Sequence, residues 1–385
     1  MTLAVDRAYV VQTLTGLVRI NSVNPSIATD GPGEAEIAAY VSGALRALGL
    51  ETVVYEPQPG RATAVGRLRG TGGGRSLMLN GHADTVGVDD MPEPFAAAVR
   101  GGRLYGRGAH DMKGSLAACI GAAKTLVDAG IRLRGDLVIA AVADEEYGSL
   151  GTADLIGRCP VDAAIVTEPT NLEICLAHKG YIWFDVETTG RAAHGSRFTE
   201  GIDAIMHMGR VLAGLDALEQ ALRTGPAHPM VGPPSLHAAL INGGSGLSTY
   251  ASSCHLKIER RTIPGETEAT ALAQIQQIID RLAAADPAFR ATVSPFFVRH
   301  PFEVSPEAGI VRVLGGAARE VLGRQPAFVG DTPWMDAALL AEAGVETVVM
   351  GPLGAGEHSI EEWVDLDSVC QMAEILARAA IGYCS

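Results

Sequence analysis

SLMLNGHADTV, at residues 76–86, is the stretch of sequence that decides the fold. Its apolar first half predicts a buried strand, which an Asn-Gly pair ends just before His82 and Asp84. Residues i and i+2 of an extended segment point to the same side. We therefore expect both side chains to face one cavity at the carboxyl edge of a sheet, where α/β proteins place their sites. An imidazole beside a carboxylate suits a metal ligand with its orienting partner, although His-x-Asp is also common in ordinary loops.

Length, charge and cysteine content narrow the class of protein. A chain of 385 residues exceeds the usual limit for one hydrophobic core, so two domains are expected. A net charge of −14 argues against nucleic acid or an anionic membrane as a partner. We recognise no signal peptide and no apolar run long enough to span a membrane. The six scattered cysteines indicate reduced thiols and a cytoplasmic location.

Two more apolar strands are predicted to end in acidic residues. The strand at 137–142 leads to Glu145 and Glu146, and the strand at 163–166 leads to Glu168. Adjacent glutamates at the end of a buried strand are costly unless cations or hydrogen bonds compensate them. Their side chains diverge, so one can bind a metal while the other faces substrate or water. Surface glutamate pairs are commonplace, but three successive strands with such endings favour a shared site.

Asp111 and His358 are candidates whose meaning depends on this context. Asp111 lies in a glycine-rich segment before a helix predicted at 115–129, and it could equally cap that helix. His358 follows a glycine-rich loop and precedes Glu361 and Glu362, which we interpret as the acidic start of a helix. A lone histidine in such a loop is usually structural, so neither residue identifies a site by itself.

Together these side chains form a mixed set of nitrogen and oxygen donors. Such a set suits zinc, with cobalt or manganese as substitutes, better than it suits magnesium or calcium, and it is large enough for two divalent metals. Two bridged metals would activate a water and polarise a carbonyl, and Glu145 would be the general base for that water. No GxSxG motif is present, which argues against a serine hydrolase. The candidate ligands are His82, Asp111, Glu146, Glu168 and His358.

Nearly the whole chain resembles a known family of hydrolases. It is similar to the dizinc-dependent exopeptidases and amidohydrolases, which include acetylornithine deacetylase, succinyl-diaminopimelate desuccinylase, aminoacylase and glutamate carboxypeptidase. The matching motifs are GHADTV at 81–86, GRGAHDMKG at 106–114, DEEYGS at 144–149, TEPT at 167–170, RAAHGS at 191–196, RRTIPGE at 260–266 and GAGEH at 354–358.

The resemblance implies a role for each candidate ligand. Asp111 would bridge the two metals. One metal site would be completed by His82 and Glu168, and the other by Glu146 and His358. Each metal would keep an open position for water and substrate.

The resemblance also implies roles for two acidic neighbours and a fold for the whole chain. Glu145 would deprotonate the water, and Asp84 would hold His82 in the tautomer that binds metal. The implied fold is α/β, with a zinc-exopeptidase-like three-layer catalytic domain and a mixed sheet. This domain would be discontinuous, formed by residues 1–177 and 293–385.

The middle of the chain, residues 178–292, is predicted to form a lid. Its order of elements, strand-helix-strand-strand-helix-strand, is ferredoxin-like and resembles the inserted α+β domain through which family members form homodimers. The resemblance implies that His194 reaches the partner subunit's active site and stabilises the oxyanion there. Arg261 would grip the substrate's α-carboxylate. Ser248 stands where many relatives have a substrate-binding asparagine, so the chain departs from the family pattern there.

The preferred function is removal of an acetyl or succinyl group from the nitrogen of an amino acid. A glutamate-type carboxypeptidase or dipeptidase is the alternative, because the same groups can hydrolyse a peptide bond. A non-catalytic relative that binds metal or peptide is a third reading, and the retained Glu145 speaks against it. The expected partners are a small N-acyl amino acid or short peptide and a second copy of the chain.

Overall fold

The computed structural model describes residues 3–385, which divide into two compact units. The first unit runs to Leu176 and resumes over Val304–Val329 and Met335–Ser385. The second unit comprises Ala177–Glu303 and Gly330–Trp334. The boundary predicted between residues 292 and 293 falls inside a strand of the second unit.

Helices and strands alternate along most of the described chain. The helices are α1 (Arg7–Arg19), α2 (Ala35–Ala47), α3 (Gly114–Asp128), α4 (Leu150–Arg158), α5 (Ala204–Thr224), α6 (Glu268–Ala285), α7 (Gly309–Leu322), α8 (Ala337–Glu342) and α9 (Leu366–Tyr383), and a distorted turn at Ala109–Lys113 precedes α3. The first strands are β1 (Glu51–Gln58), β2 (Arg61–Leu68), β3 (Leu77–His82), β4 (Ala98–Arg100), β5 (Arg103–Tyr105), β6 (Leu137–Val142), β7 (Ala163–Val166) and β8 (Ile174–His178). The later strands are β9 (Gly180–Thr189), β10 (Ser235–Gly243), β11 (Ser253–Thr262), β12 (Ala291–Arg299), β13 (Phe302–Glu303), β14 (Phe328–Asp331), β15 (Glu346–Val349), β16 (Gly354–Ala355) and β17 (Trp363–Asp365). No helix within residues 3–385 is both long and apolar enough to cross a membrane.

Four neighbouring parallel strands form the centre of the mixed sheet in the first unit. They lie in the order β6, β3, β7, β15 and run in one direction. Beyond β6 the sheet continues antiparallel through β2 and β1, and beyond β15 it continues antiparallel into β8. The carboxyl ends of the four parallel strands therefore meet at one edge, which is where open α/β sheets place their sites.

Helices cover both faces of this sheet. Leu77 and Leu79 of β3 belong to a core that also includes buried residues of α3, α7 and α9. Asn80, between them and the end of the strand, donates instead to Thr152 of α4 at 3.2 Å. Successive side chains of a strand point to opposite faces, so α4, with α8 packed beside it, covers the other side. The predicted three-layer α/β fold is confirmed.

The second unit is a four-stranded antiparallel sheet with two helices. The strand order is β10, β11, β9, β12, and α5 and α6 connect the strands in the ferredoxin-like manner that the sequence predicts. On β9, the alternate residues Ile182, Phe184 and Val186 are buried in a core with α5 and α6. The intervening residues of β9, including Trp183, point to the open face of the sheet.

The helix start predicted at Glu361 and Glu362 is wrong. The strand β17 follows these residues and pairs with β5. Helix α9 begins only at Leu366, where the carboxylate of Asp365 accepts a hydrogen bond from the backbone N–H of Ser368 at 2.8 Å. The pairing of β17 brings Glu362 to the segment that carries Asp111, with consequences for the site.

Candidate metal centre

The five predicted ligands lie together at the carboxyl edge of the parallel strands. Each comes from the end of a strand or from the turn before a helix, so the backbone fixes its position. His82 is the last residue of β3, Glu146 and Glu168 follow β6 and β7, His358 follows β15 and β16, and Asp111 lies in the turn before α3.

Asp111 stands at the centre of this group. Its Oδ1 atom is 2.9 Å from Nε2 of His82, and its Oδ2 atom is 3.4 Å from Nε2 of His358. Nε2 of His358 is also 3.1 Å from Oε2 of Glu146. Helix α3 takes Lys113 as its N-cap, so Asp111 does not cap that helix. A carboxylate with an imidazole at each oxygen has the arrangement that a bridging ligand needs.

Glu145 lies on the other side of the same cluster. His82, Asp111 and Glu146 offer donor atoms within 4.8 Å of one another, and so do His82, Glu145 and Glu168. Nε2 of His82 is 3.7 Å from Oε1 of Glu168. The two adjacent glutamates therefore reach different sets of neighbours, as the divergence of adjacent side chains predicts.

Burial and crowding change the proton affinities of these groups. Burial raises the pKa of Glu145 and of Glu168 well above the usual value for a glutamate, and it raises that of Glu146 to about 7. Burial opposes a charged His82, but Glu168, Asp111 and Asp84 outweigh it and raise the pKa of that imidazole.

Asp111 and His358 each favour the charged form of the other. Hydrogen bonds to Asp111 and Glu146 raise the pKa of His358 to about 10. Burial opposes ionisation of Asp111, but hydrogen bonds from His358 and His82 hold its pKa well below the usual range. Without a cation, protons must neutralise this cluster of carboxylates. Mixed carboxylate and imidazole donors fit a zinc-type divalent cation, so the residues present suit the metal chemistry that their pattern implies.

The main chain of Asp84 orients His82. Nδ1 of His82 lies 2.9 Å from the carbonyl oxygen of Asp84, and 3.7 Å from that residue's carboxylate. An Nδ1–H that donates to the carbonyl leaves Nε2 free to bind a metal. The carboxylate accepts instead from the backbone N–H groups of Glu145 and Glu146, at 3.1 and 3.2 Å, and from Nδ2 of Asn24 at 2.8 Å. It therefore fixes the turn that carries both glutamates.

A buried ionic network supports the turn that carries Glu145 and Glu146. Asn24 also donates to Asp144 at 3.0 Å. Arg61 joins Asp144, at 2.6 Å, to Glu34, at 2.7 Å, and its side chain is almost fully buried. A buried guanidinium between two carboxylates satisfies charges that would otherwise be costly. The sequence analysis did not identify Asn24, Arg61 or Glu34, because nothing local marks them.

Glu362 plays the corresponding part for the turn that presents Asp111. Its buried carboxylate accepts four hydrogen bonds, from Nη1 of Arg107 at 2.8 Å and from the backbone N–H groups of Gly108, His110 and Asp111 at 2.9, 2.9 and 3.0 Å. Gly108 has φ +78°, and a Cβ there would lie 2.6 Å from a methyl group of Thr85. The turn is thus held by one side chain from a distant part of the sequence.

The predicted lid residues lie in the second unit. His194 is exposed, and its Nδ1 is 2.8 Å from Oγ of Ser196. Its backbone forms a β-bridge with Thr249, and the neighbouring Gly195 N–H donates to the carbonyl of Ser248 at 2.7 Å. The loops that carry His194 and Ser248 are therefore adjacent. Arg261 donates from Nε to Glu259 at 2.7 Å and lies over the ring of Tyr181.

A three-layer fold with carboxylates and imidazoles clustered at the strand ends is an arrangement suited to a metal-dependent hydrolase. The profile of peptidase family M20/M25/M40 matches residues 78–381, most of the chain. The protein belongs to this family.

Individual relatives agree with this assignment over nearly their full length. N-formyl-4-amino-5-aminomethyl-2-methylpyrimidine deformylase of Bacillus subtilis is 29% identical, over 91% of this chain and 89% of the relative. Acetylornithine deacetylase of Myxococcus xanthus is 29% identical over 97% of both chains. Among solved structures, aminopeptidase PepT of Bacillus cereus has a TM-score of 0.81 at 18% identity, over 99% of this chain and 100% of that one. A dinuclear metal-binding M20 peptidase of Bacillus subtilis has a TM-score of 0.76 at 16% identity, over 97% of both. At identities of 18% and 16%, these structural similarities show the fold alone.

Replacing Glu362 by glutamine should weaken metal binding. A glutamine amide cannot accept at both ends, so N–H groups of the turn lose their partner and Asp111 is held less firmly. We expect about a 10- to 100-fold loss of metal affinity, measured by competition with a chelator. The control is Glu361→Gln, which changes an exposed neighbour. Equal affinities in the two variants would contradict this role for Glu362.

Metal affinity should rise as the pH is raised. In the metal-free protein the pKa of Glu146 is about 7 and that of His358 about 10, so both ligands must lose protons before they can bind. Competition from protons is therefore stronger at about pH 6 than at about pH 8, and binding should release protons. A chelator competition at both pH values, together with proton release in weak buffer, tests this. Affinity that is independent of pH would contradict it.

Proposed function

We propose that the protein is a dinuclear metal-dependent amide hydrolase that removes an N-acyl group from an amino acid, in the manner of acetylornithine deacetylase. One observation carries the proposal. The carboxylate of Asp111 lies between two imidazoles, and Glu145 stands within the same donor cluster. The names of the two relatives compared above describe removal of a formyl or an acetyl group from nitrogen, which favours deacylation over peptide cleavage.

The proposed metal sites share one ligand. Asp111 would contribute to both sites, His82 and Glu168 would hold one ion, and Glu146 and His358 would hold the other. Zinc is the metal that this donor set fits best, and cobalt or manganese can replace it. When bound, such a pair of ions lowers the pKa of a shared water and polarises the amide carbonyl.

The chain's own residues supply the proton transfers. In this proposal Glu145 accepts a proton from the attacking water and donates it to the nitrogen that leaves. The backbone of Glu145 is held by the carboxylate of Asp84 at 3.1 Å, so the base is presented by a fixed turn rather than by a mobile loop. Fixing the base in this way avoids the entropic cost of positioning it in each cycle.

The lid is proposed to bind the substrate and a second copy of the chain. Arg261 would hold the substrate's α-carboxylate, Ser248 would contact the substrate, and His194 would stabilise the oxyanion in the partner subunit's site. Support for a homodimer comes from the edge strand β10, where Leu240 and Ile241 are 66% and 57% exposed. An exposed apolar edge strand is a ready template for pairing with another chain.

A cytoplasmic location is part of the proposal. The six cysteines form no disulfide among residues 3–385, and five of them are buried. Reduced, buried thiols are typical of proteins from a reducing compartment.

An assay of metal-loaded protein tests the reaction. The panel comprises N-acetyl and N-succinyl amino acids and C-terminal glutamate dipeptides, each with and without chelator. We expect chelator-sensitive release of acyl groups, and Glu145→Gln should lower kcat by about 10²–10⁴-fold with its metals retained. The control is Glu36→Gln, on the exposed face of α2.

Other results of this assay would change the assignment. Cleavage of dipeptides alone would make the protein a carboxypeptidase or dipeptidase. A Glu145→Gln variant with most of its activity would remove the base from the mechanism. No cleavage of any substrate by the metal-loaded protein would leave a non-catalytic metal-binding or peptide-binding relative.

Mixing two inactive variants tests the role of His194 across the dimer. Half of the dimers formed from equal amounts of His194→Ala and Glu145→Gln are mixed, and each mixed dimer has one intact site. Activity should therefore recover to about a quarter of the wild-type rate. Adding Ile241→Lys to both variants should prevent recovery, because a charge on the edge strand repels its copy. If the mixture that lacks Ile241→Lys recovers no activity, His194 does not act in the partner subunit's site.

A further inference from the structure

His358 is the most exposed of the five proposed metal ligands. Its side chain is 57% exposed, whereas the side chains of the other four are at most 15% exposed. Its backbone has φ +58°, and Gly356, two residues earlier, has φ +92°. A left-handed conformation at a residue other than glycine persists only where neighbouring contacts enforce it. Contacts on either side of His358 must therefore supply the order that burial does not.

The residue before His358 is tied to the turn that carries Asp111. Oε1 of Glu357 lies 2.8 Å from Nε2 of His110, whose side chain is only 1% exposed. An ionised carboxylate can only accept, so the imidazole donates this bond from Nε2. Gly354 lies against the other side of the ring, since a Cβ there would clash with Nδ1 of His110. The imidazole of His110 thus spans the segment from Gly354 to Glu357.

The residue after His358 is tied to the same turn. Nη2 of Arg107 donates to the carbonyl oxygen of Ser359 at 3.0 Å, and Nη1 donates to Glu362 at 2.8 Å. The guanidinium of Arg107 is buried, so water does not compete for these bonds. One turn of the chain therefore presents Asp111 and also holds both neighbours of His358.

Packing alone does not account for a histidine at position 110. Nδ1 of His110 is buried, and within residues 3–385 it has no hydrogen-bond partner. A buried polar atom without a partner is destabilising, and a native structure that keeps one calls for a reason. An apolar side chain could occupy this place without that cost, but it would lack a donor for Glu357. The bond from Nε2 to Glu357 is therefore the feature that favours histidine here.

The other proposed metal site is held by different contacts. His82 is the last residue of β3 and Glu168 follows β7. Their side chains are 1% and 8% exposed. Nδ1 of His82 lies 2.9 Å from the carbonyl oxygen of Asp84, which orients the ring. Burial, strand ends and the main chain thus fix these two ligands, and the segment that carries His358 is not needed for them.

We propose that His110 and Glu357 form a positioning pair that sets the metal affinity of the site of Glu146 and His358 without setting that of the other site. The pair holds the residue next to His358, so the His358 imidazole stays beside Asp111 and Glu146 before an ion binds. Such preorganisation lowers the entropic cost of binding. The proposal rests on the proposed function only in assigning Glu146 and His358 to one ion.

A metal titration of the full chain tests the pair. Metal-free protein is titrated with Zn²⁺ in the presence of a competing chelator, and the wild type should bind two equivalents in two steps. His358→Ala identifies the step that belongs to the site of Glu146 and His358. We expect Glu357→Ala to weaken that same step about 10- to 100-fold and to leave the other step unchanged.

Two comparisons separate the pair from charge and from folding. Glu361→Ala is the matched control, because it removes the same charge from an exposed residue of the same segment. A long-range electrostatic effect would appear in both variants. His110→Leu should weaken the same step as Glu357→Ala, and the double variant should be no weaker than the single variants, as expected of residues that act as a unit. Glu357 is half-exposed, so Glu357→Ala gives the answer even if His110→Leu does not fold.

Hydrogen exchange provides a second measurement that does not depend on metal. In the metal-free protein, the amides of residues 354–361 should exchange faster in Glu357→Ala than in Glu361→Ala. The proposal is overturned if the two variants show the same metal affinities and exchange rates. It is also overturned if Glu357→Ala weakens both binding steps equally, or if the effects of His110→Leu and Glu357→Ala add.

An amide hydrolysis assay on the wild-type protein separates this proposal from the proposed function. A protein that binds two ions in this way but hydrolyses no amide would refute the proposed function and leave the positioning pair standing. A hydrolase whose two metal affinities do not respond to Glu357→Ala would refute the positioning pair alone.

Discussion

The mutual repulsion of carboxylates at one sheet edge is the constraint on which this structure depends. Asp111, Glu145, Glu146 and Glu168 converge around the imidazoles of His82 and His358. Two like charges about 4 Å apart repel by roughly 4 kcal/mol at an effective dielectric constant near 20. A hydrogen bond to a charged group returns only about 1.5–3 kcal/mol. Cations or protons must therefore supply the balance, and the rest of the fold holds the carboxylates in place against their repulsion.

Two other carboxylates keep these side chains in place by accepting hydrogen bonds from the backbone of the turns that carry them. Asp84 binds the N–H groups of the turn that carries Glu145 and Glu146, and Glu362 binds those of the turn that carries Asp111. Each is a buried acceptor of several bonds, so each is rigid. The proposed ligands are thus different residues from those that fix the backbone of the site.

The positions of the residues at strand ends could be predicted because a buried strand leaves a local pattern of apolar residues in the sequence. The apolar runs before His82, Glu146 and Glu168 mark buried strands, and the edge where parallel strands end is a general location for sites. Asp111 and His358 needed the family resemblance, since from the sequence a capping role fitted Asp111 equally well and a structural role fitted His358 better. The structure removed the capping role of Asp111.

Other parts of the site lay beyond the sequence. Glu362 and Asp111 are far apart in the chain, and only the pairing of β17 with β5 brings them together. Asn24 and Arg61 act through buried contacts that no spacing encodes. Tertiary pairing, rather than propensity, decides each of these features.

The position of β15 has a consequence for biosynthesis. This strand lies between β7 and β8 in the central sheet, yet it leaves the ribosome after the whole second unit has been made. Until it arrives, the nascent chain holds two unpaired strand edges around an apolar slot, which is the kind of surface that aggregates or attracts chaperones. The inserted unit, with its own core, can fold during this interval. Closure of the slot by the last part of the chain also delivers His358, so under the proposed ligand set metal capture would report completion of the catalytic unit.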